Sequence, residues 1–131
     1  MPETDVKRSL LLVDDNEVHL TFTGGMLKGN YDIITANSGK EALGLLIKGV
    51  VPDLILLDIV MPNMDGWETY NRIRGISLLR DVPIAFFSSL EGENVVQQAA
   101  DMGAADFIPK SCGKDEFLTR IASIITKYEA K

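Results

Sequence analysis

The 131-residue chain contains one cysteine, one histidine and one tryptophan. A single cysteine, Cys112, excludes an internal disulfide framework and suits a reducing compartment, so a cytoplasmic location is expected. It also lacks a partner for thiol chemistry. The only histidine, His19, is far from it in sequence, and both residues read as bystanders. No apolar stretch approaches the roughly 18–20 residues of a membrane span. The polar start, residues 1–8, lacks the apolar core of a signal peptide. Glycine-rich phosphate loops of the Gly-x-Gly-x-x-Gly or Gly-Lys-Ser/Thr kind are absent. Basic residues are outnumbered 13 to 19, giving a net charge of −6. An acidic surface argues against direct contact with nucleic acid or an anionic membrane.

What is present is a core-forming sequence, 46% hydrophobic, of a length that fits one domain. Short apolar runs alternate with helical patterns, the arrangement of a parallel sheet with crossover helices. The strand-like segments are Ser9–Val13, Tyr31–Ala36, Leu54–Leu57, Val82–Phe87 and Asp106–Ile108. The first and third are almost wholly apolar, as expected where helices cover both faces. The second is more polar and fits an edge. Ser38-Gly39-Lys40-Glu41 reads as a capping box, and Asp65-Gly66-Trp67-Glu68 opens a helix similarly. Inward stripes are expected at Ala42, Leu45 and Leu46; at Trp67, Tyr70 and Ile73; at Val95, Val96, Ala99 and Ala100; and at Phe117, Leu118, Ile121, Ile124, Ile125 and Tyr128. The helix after Asn16 is weaker, because Gly24 and Gly25 each cost on the order of 1 kcal/mol relative to alanine. The expected fold is α/β: a flavodoxin-like, doubly wound, five-stranded parallel sheet of order 2-1-3-4-5 with five helices. A single domain over residues 1–131, with its core near 8–128 and no output domain attached, is the expected organisation.

The chemistry gathers at strand ends. Asp14 and Asp15 follow Leu10-Leu11-Leu12-Val13, and Asp58 follows Leu54-Ile55-Leu56-Leu57. Ser88 and Lys110 close two later strand-like segments. In an open α/β sheet ligands collect outside the carboxyl ends of the strands, at the switch in strand order. An ionised carboxylate at the tip of a buried strand is costly unless something uses it. Clustered carboxylates repel unless a cation intervenes, and their hard oxygens suit Mg²⁺. With such a metal Asp58 is placed to act as a nucleophile toward a phosphoryl group, with Lys110 and Ser88 contacting the phosphoryl oxygens. Singly, each residue has a plainer reading: Asp14-Asp15 and Asp58 as caps, Ser88 as a turn residue, Lys110 as solvated. The set is far more specific than any member, because all of it falls at one end of one sheet.

The segments Leu11-Leu12-Val13-Asp14-Asp15, Leu56-Leu57-Asp58-Ile59-Val60-Met61-Pro62-Asn63-Met64-Asp65-Gly66, Phe86-Phe87-Ser88-Ser89, Gly103-Ala104-Ala105-Asp106-Phe107 and Ile108-Pro109-Lys110 resemble the receiver domain of two-component response regulators. The resemblance covers about residues 8–128. It implies that Asp58 accepts phosphate from the phosphohistidine of a sensor histidine kinase or phosphotransfer protein. It implies Mg²⁺ held by Asp15, Asp58 and the Val60 carbonyl, with Asp14 acting through water. Ser88 resembles the family's switch hydroxyl, Phe107 its switch aromatic and Lys110 its motif lysine. The output face would lie near residues 93–128 and meet a downstream effector. Such a chain is a signalling phosphoacceptor rather than an enzyme acting on free substrates. One departure is Ser111, where many receivers have a proline, often in cis. A cis bond without proline costs roughly 2.5–4 kcal/mol, so a trans Lys110–Ser111 bond is expected.

Two alternatives stay open from sequence. One is a metal-dependent phosphatase with Asp58 as nucleophile, against which stands Val60 where an acid two residues on is needed. The other is an unphosphorylated interaction module. A flavin-binding reading is weaker, since carboxylates after the first strand would repel the flavin phosphate.

Overall fold

Alternating apolar runs build one twisted sheet in the computed structural model, which describes residues 7–129. The elements run β1 (Arg8–Val13), α1 (Glu17–Leu27), β2 (Tyr31–Ala36), α2 (Gly39–Ile47), β3 (Leu54–Leu57), α3 (Gly66–Arg74), β4 (Ile84–Ser88), α4 (Glu93–Met102), β5 (Asp106–Pro109) and α5 (Lys114–Glu129). The strand order is β2-β1-β3-β4-β5 and every pairing is parallel, as expected from the sequence. Most of the polar start, residues 1–6, lies outside the described residues, as do 130–131. Among the described residues, no helix is long and apolar enough to cross a membrane.

Side-chain alternation along the strands sorts the core into two layers. Leu11, Val13, Ile55, Leu57, Ile84 and Phe86 face Ala42, Leu46, Tyr70, Ile73 and Ala99 of α2, α3 and α4. Leu10, Leu12, Leu54, Leu56, Ala85, Phe87 and Ile108 face Leu20 and Leu27 of α1 and Phe117, Ile121, Ile124 and Ile125 of α5. Burying each such leucine or isoleucine contributes about 1.5–3 kcal/mol, so the central strands tolerate no polar residue before their tips.

Local signals fix the helix ends. Asn16, Ser38 and Asp65 each accept the backbone N–H three residues on, at 3.0, 3.0 and 2.9 Å. The Glu41 carboxylate reaches back beyond the cap to the Asn37 N–H rather than to Ser38 itself. Gly103 ends α4 at φ 92°, a left-handed conformation that glycine adopts without steric cost. The Gly24-Gly25 pair leaves α1 continuous, because Leu20, Thr23 and Leu27 remain buried on one side.

Two expectations needed correction. The fourth strand starts at Ile84 rather than Val82, since Pro83 has no N–H to give a ladder. In α4 only Ala99 of the expected stripe is buried; Val95 is half-buried, and Val96 and Ala100 are exposed. Among the described residues no peptide bond is cis, so Lys110–Ser111 is trans as expected.

Candidate functional site

Register brings the two acidic strand ends together. Val13 pairs with Leu57, and the next residues, Asp14 and Asp58, leave the sheet side by side. Their backbones stay tied to it: the Asp58 N–H donates to the Val13 carbonyl at 2.9 Å, and the Asp14 N–H to the Ala36 carbonyl at 3.1 Å. On the far side, Ser88 pairs with Pro109, and the Lys110 N–H donates to the Ser88 carbonyl at 2.9 Å. Gly66 completes the wall: a Cβ at this position would overlap the Asp58 carbonyl and Ile59, so only glycine lets α3 start this close to Asp58.

Asp14 and Asp58 are nearly sealed from solvent, at 4% and 5% exposure, while Asp15 is exposed. One carboxylate oxygen of each of the three lies within 4.8 Å of the others. Lys110 bridges the two buried acids, with Nζ 2.8 Å from Asp14 Oδ2 and 3.2 Å from Asp58 Oδ2. Asp58 Oδ1 accepts the Ile59 N–H at 2.8 Å, and Asp14 Oδ1 accepts the Asn16 N–H at 3.0 Å.

The two acids respond oppositely to this setting. Burial pushes both carboxyls up. At Asp14 the Lys110 ammonium, the Asn16 N–H and His19 outweigh it, and the pKa falls below the ordinary value. At Asp58 burial wins with help from the negative charge of Asp14, against the pull of Lys110, and the pKa rises. Burial acts to lower Lys110, but its two carboxylate partners raise it further, so it stays charged.

Asp14, Asp15, Asp58 and Lys110 are therefore at one place, and Ser88 ends β4, the strand between β3 and β5. Ser88 is fully buried, and its Oγ accepts the Leu90 N–H at 3.2 Å. Phe107 is half-buried against the layer containing Phe86, and its carbonyl accepts from Arg120 at 2.8 Å. Val60 lies just past Asp58 with its residue 56% exposed.

His19 was missed as a neighbour of this site. Its Nδ1 stands 2.7 Å from Asp14 Oδ2, and its ring lies 5.4 Å from that of Phe87. Side chains in the first turn of a helix point back toward its N-terminus, which was the signal available at three residues past the Asn16 cap. His19 also shares a pocket with Cys112, which sequence distance had concealed. Burial raises the Cys112 thiol, which does not favour a reactive thiolate.

Three carboxylate oxygens within reach of one another, facing a single ammonium, form a hard, net-negative donor set that fits Mg²⁺. The sequence model of the response regulator receiver domain matches residues 10–122. The chain belongs to this family. It is similar to the response regulator PleD of Caulobacter vibrioides, with 30% identity over 116 residues, covering 88% of this chain and 25% of PleD. It is 35% identical over 102 residues to a probable cyclic di-GMP phosphodiesterase of Vibrio cholerae, covering 78% of this chain and 23% of that protein. The chain thus spans about a quarter of the length of these relatives. Among solved structures it resembles a putative response regulator of Chloroflexus aurantiacus, with TM-score 0.84, 27% identity and coverage of 92% and 99%. Chemotaxis protein CheY4 of Vibrio cholerae matches with TM-score 0.84, 25% identity and coverage of 91% and 99%.

Proposed function

We propose that residues 8–128 act as one receiver core in which Asp58 is the phosphoacceptor of a two-component pathway or phosphorelay. The observation that carries this reading is the Lys110 bridge between Asp14 and Asp58, set among three mutually close carboxylates. A buried acid pair needs such a counter-charge at rest, and the same lysine suits an incoming phosphoryl group. The donor is the phosphohistidine of a sensor histidine kinase or a phosphotransfer protein. An Asp58 oxygen attacks phosphorus, the phosphorus–nitrogen bond breaks, and its electron pair leaves with the donor imidazole. The product is an acyl phosphate on Asp58.

Mg²⁺ held by Asp15, Asp58 and the Val60 carbonyl, with Asp14 acting through water, would supply neutralising charge to the transferred group. Lys110 moves from the carboxylates to the phosphoryl oxygens. Ser88 Oγ, which accepts the Leu90 N–H at rest, turns to donate its own hydrogen to a phosphoryl oxygen, and Phe107 follows the loop this shift displaces. The face formed by α4, β5 and α5 then changes what it offers an effector protein. The molecule is a switch that catalyses only its own phosphorylation and dephosphorylation, and the free thiol of Cys112 suits the cytoplasm.

The test is labelling with acetyl phosphate and Mg²⁺, followed by intact mass spectrometry. Addition of one phosphoryl group is expected, abolished by Asp58→Asn and by removal of Mg²⁺. A wild-type chain that never gains the group overturns the reading.

A further inference from the structure

Asp14 Oδ2 has two cationic or polar neighbours at nearly equal range: Lys110 Nζ at 2.8 Å and His19 Nδ1 at 2.7 Å. They differ in how firmly they are held. Lys110 reaches the site on a flexible four-carbon stem. His19 is more constrained: its backbone N–H is held by the Asn16 side chain at 3.0 Å, and its ring lies against Phe87. The other Asp14 oxygen is already taken by the Asn16 N–H. An ionised carboxylate accepts and cannot donate, so in a hydrogen bond between them His19 Nδ1 is the donor and Asp14 Oδ2 the acceptor.

We infer that His19 is a positioning residue that keeps Asp14 paired when Lys110 leaves for the phosphoryl group. Resting on the phosphoacceptor reading above, the inference assigns His19 a role in the release of Lys110. Asp14 is too buried for bulk water to replace a departing partner freely. With His19 sharing Oδ2, that oxygen holds Lys110 less tightly and keeps a hydrogen bond after Lys110 moves. Without His19, the departing ammonium leaves Asp14 Oδ2 without either of the two side chains that hold it at rest, and the movement becomes slow. His19 touches neither phosphoryl donor nor acceptor, and acts only through Asp14 and Lys110.

Two readouts test this on the wild-type chain, His19→Ala and His19→Asn. The amide nitrogen of asparagine sits at the δ position and can reproduce the Nδ1 bond without the imidazole. The first readout is the rate of Asp58 labelling by acetyl phosphate at saturating Mg²⁺. His19→Ala should slow it roughly 10-fold, the lower end of the effect of losing a residue that supports a site ligand, and His19→Asn should recover most of the loss. The second needs neither metal nor phosphate: acetylation of Lys110 by acetic anhydride, followed by peptide mapping. Lys110 should react several-fold more slowly in His19→Ala and near the wild-type rate in His19→Asn. An alanine variant matching wild type in Lys110 acetylation overturns the inference, even if the wild type never labels at Asp58. So does an asparagine variant as impaired as the alanine one, which would assign the effect to ring packing on Phe87.

Discussion

Lys110 and Asp14 are separated by 96 residues, yet Nζ rests 2.8 Å from Oδ2. That contact exists because β1 and β5 are parallel strands of one sheet and their carboxyl ends open on the same side. The tie is electrostatically asymmetric: at Asp14 burial is outweighed by Lys110, the Asn16 N–H and His19 together, while at Asp58 burial and the Asp14 charge outweigh Lys110. Lys110 thus behaves at rest as the counter-ion of Asp14, leaving Asp58 the under-compensated acid of the pair.

This asymmetry predicts opposite effects of two similar substitutions. Asp58 has a raised folded pKa, so its carboxyl favours the fold below the ordinary value of 3.8, and that contribution is lost as pH rises through the folded value. Asp58→Asn should therefore melt several degrees above wild type at neutral pH without Mg²⁺. The gap should close as pH falls into the carboxylate range. Asp14 has a lowered folded pKa, so its stabilisation is present above 3.8 and disappears as pH falls through the folded value. Asp14→Asn should melt below wild type at neutral pH. A change near 1 kcal/mol moves the melting point by roughly 3–6 °C at this size. Thermal scans across pH check both signs, and a destabilised Asp58→Asn at neutral pH would refute the assignment.

Metal should act on the same imbalance. A ligand bound by the native state alone stabilises it, by about 2.7 kcal/mol at one hundred times Kd. Millimolar Mg²⁺ should raise the melting temperature of the wild type. Asp15→Ala should show a smaller rise, since Asp15 is the exposed third acid and its removal barely disturbs packing. An equal rise in both proteins would exclude Asp15 as a ligand.

The strand-end site was legible in the sequence because burial makes polar exceptions conspicuous. Leu10 to Val13 and Leu54 to Leu57 are buried throughout, so the acids that end them stand out. The strand order followed from right-handed crossovers and the polar second strand. Less legible features depend on depth and side-chain reach. The apolar spacing of α4 is correct for a helix, but the helix lies shallowly on the sheet through Ala99, leaving Val96 exposed. A period reports which residues share a face and says nothing of how far that face sinks. His19 escaped because a lone histidine on a weak helix carries no pattern. Its role comes from three-dimensional proximity to Asp14, five residues earlier.

The proposed switch should be separable from the proposed chemistry. Ser88 Oγ holds the Leu90 N–H at rest, and Phe107 lies half-buried on the neighbouring strand. Ser88→Ala removes the hydroxyl without touching Asp58, Asp14 or Lys110. The variant should still take phosphate at Asp58 but lose most of the phosphate-dependent change in α4 and β5. Hydrogen exchange on both forms of both proteins measures this. A response of wild-type size in Ser88→Ala would detach the hydroxyl from the coupling.

The lifetime of the phosphorylated state should depend on two apolar side chains. Hydrolysis of an acyl phosphate requires a water aligned behind phosphorus. Val60, two residues past Asp58, and Leu90, two past Ser88, should be the side chains beside that approach. Val60 is 56% exposed and Leu90 is half-buried. Neither has a group that can donate to or accept from a water, so neither can orient one. The proposed metal site would be unaffected, because the Val60 contribution there would be its backbone carbonyl. Self-dephosphorylation should therefore be slow, which suits a lasting signal or one ended by a separate phosphatase. Val60→Asn or Leu90→Glu should speed phosphate loss by roughly 10-fold, the scale of one well-placed hydrogen bond of about 1.4 kcal/mol. Phosphate release timed by intact mass with Mg²⁺ present decides it. If both polar variants lose phosphate at the wild-type rate, these side chains do not govern the approach of water.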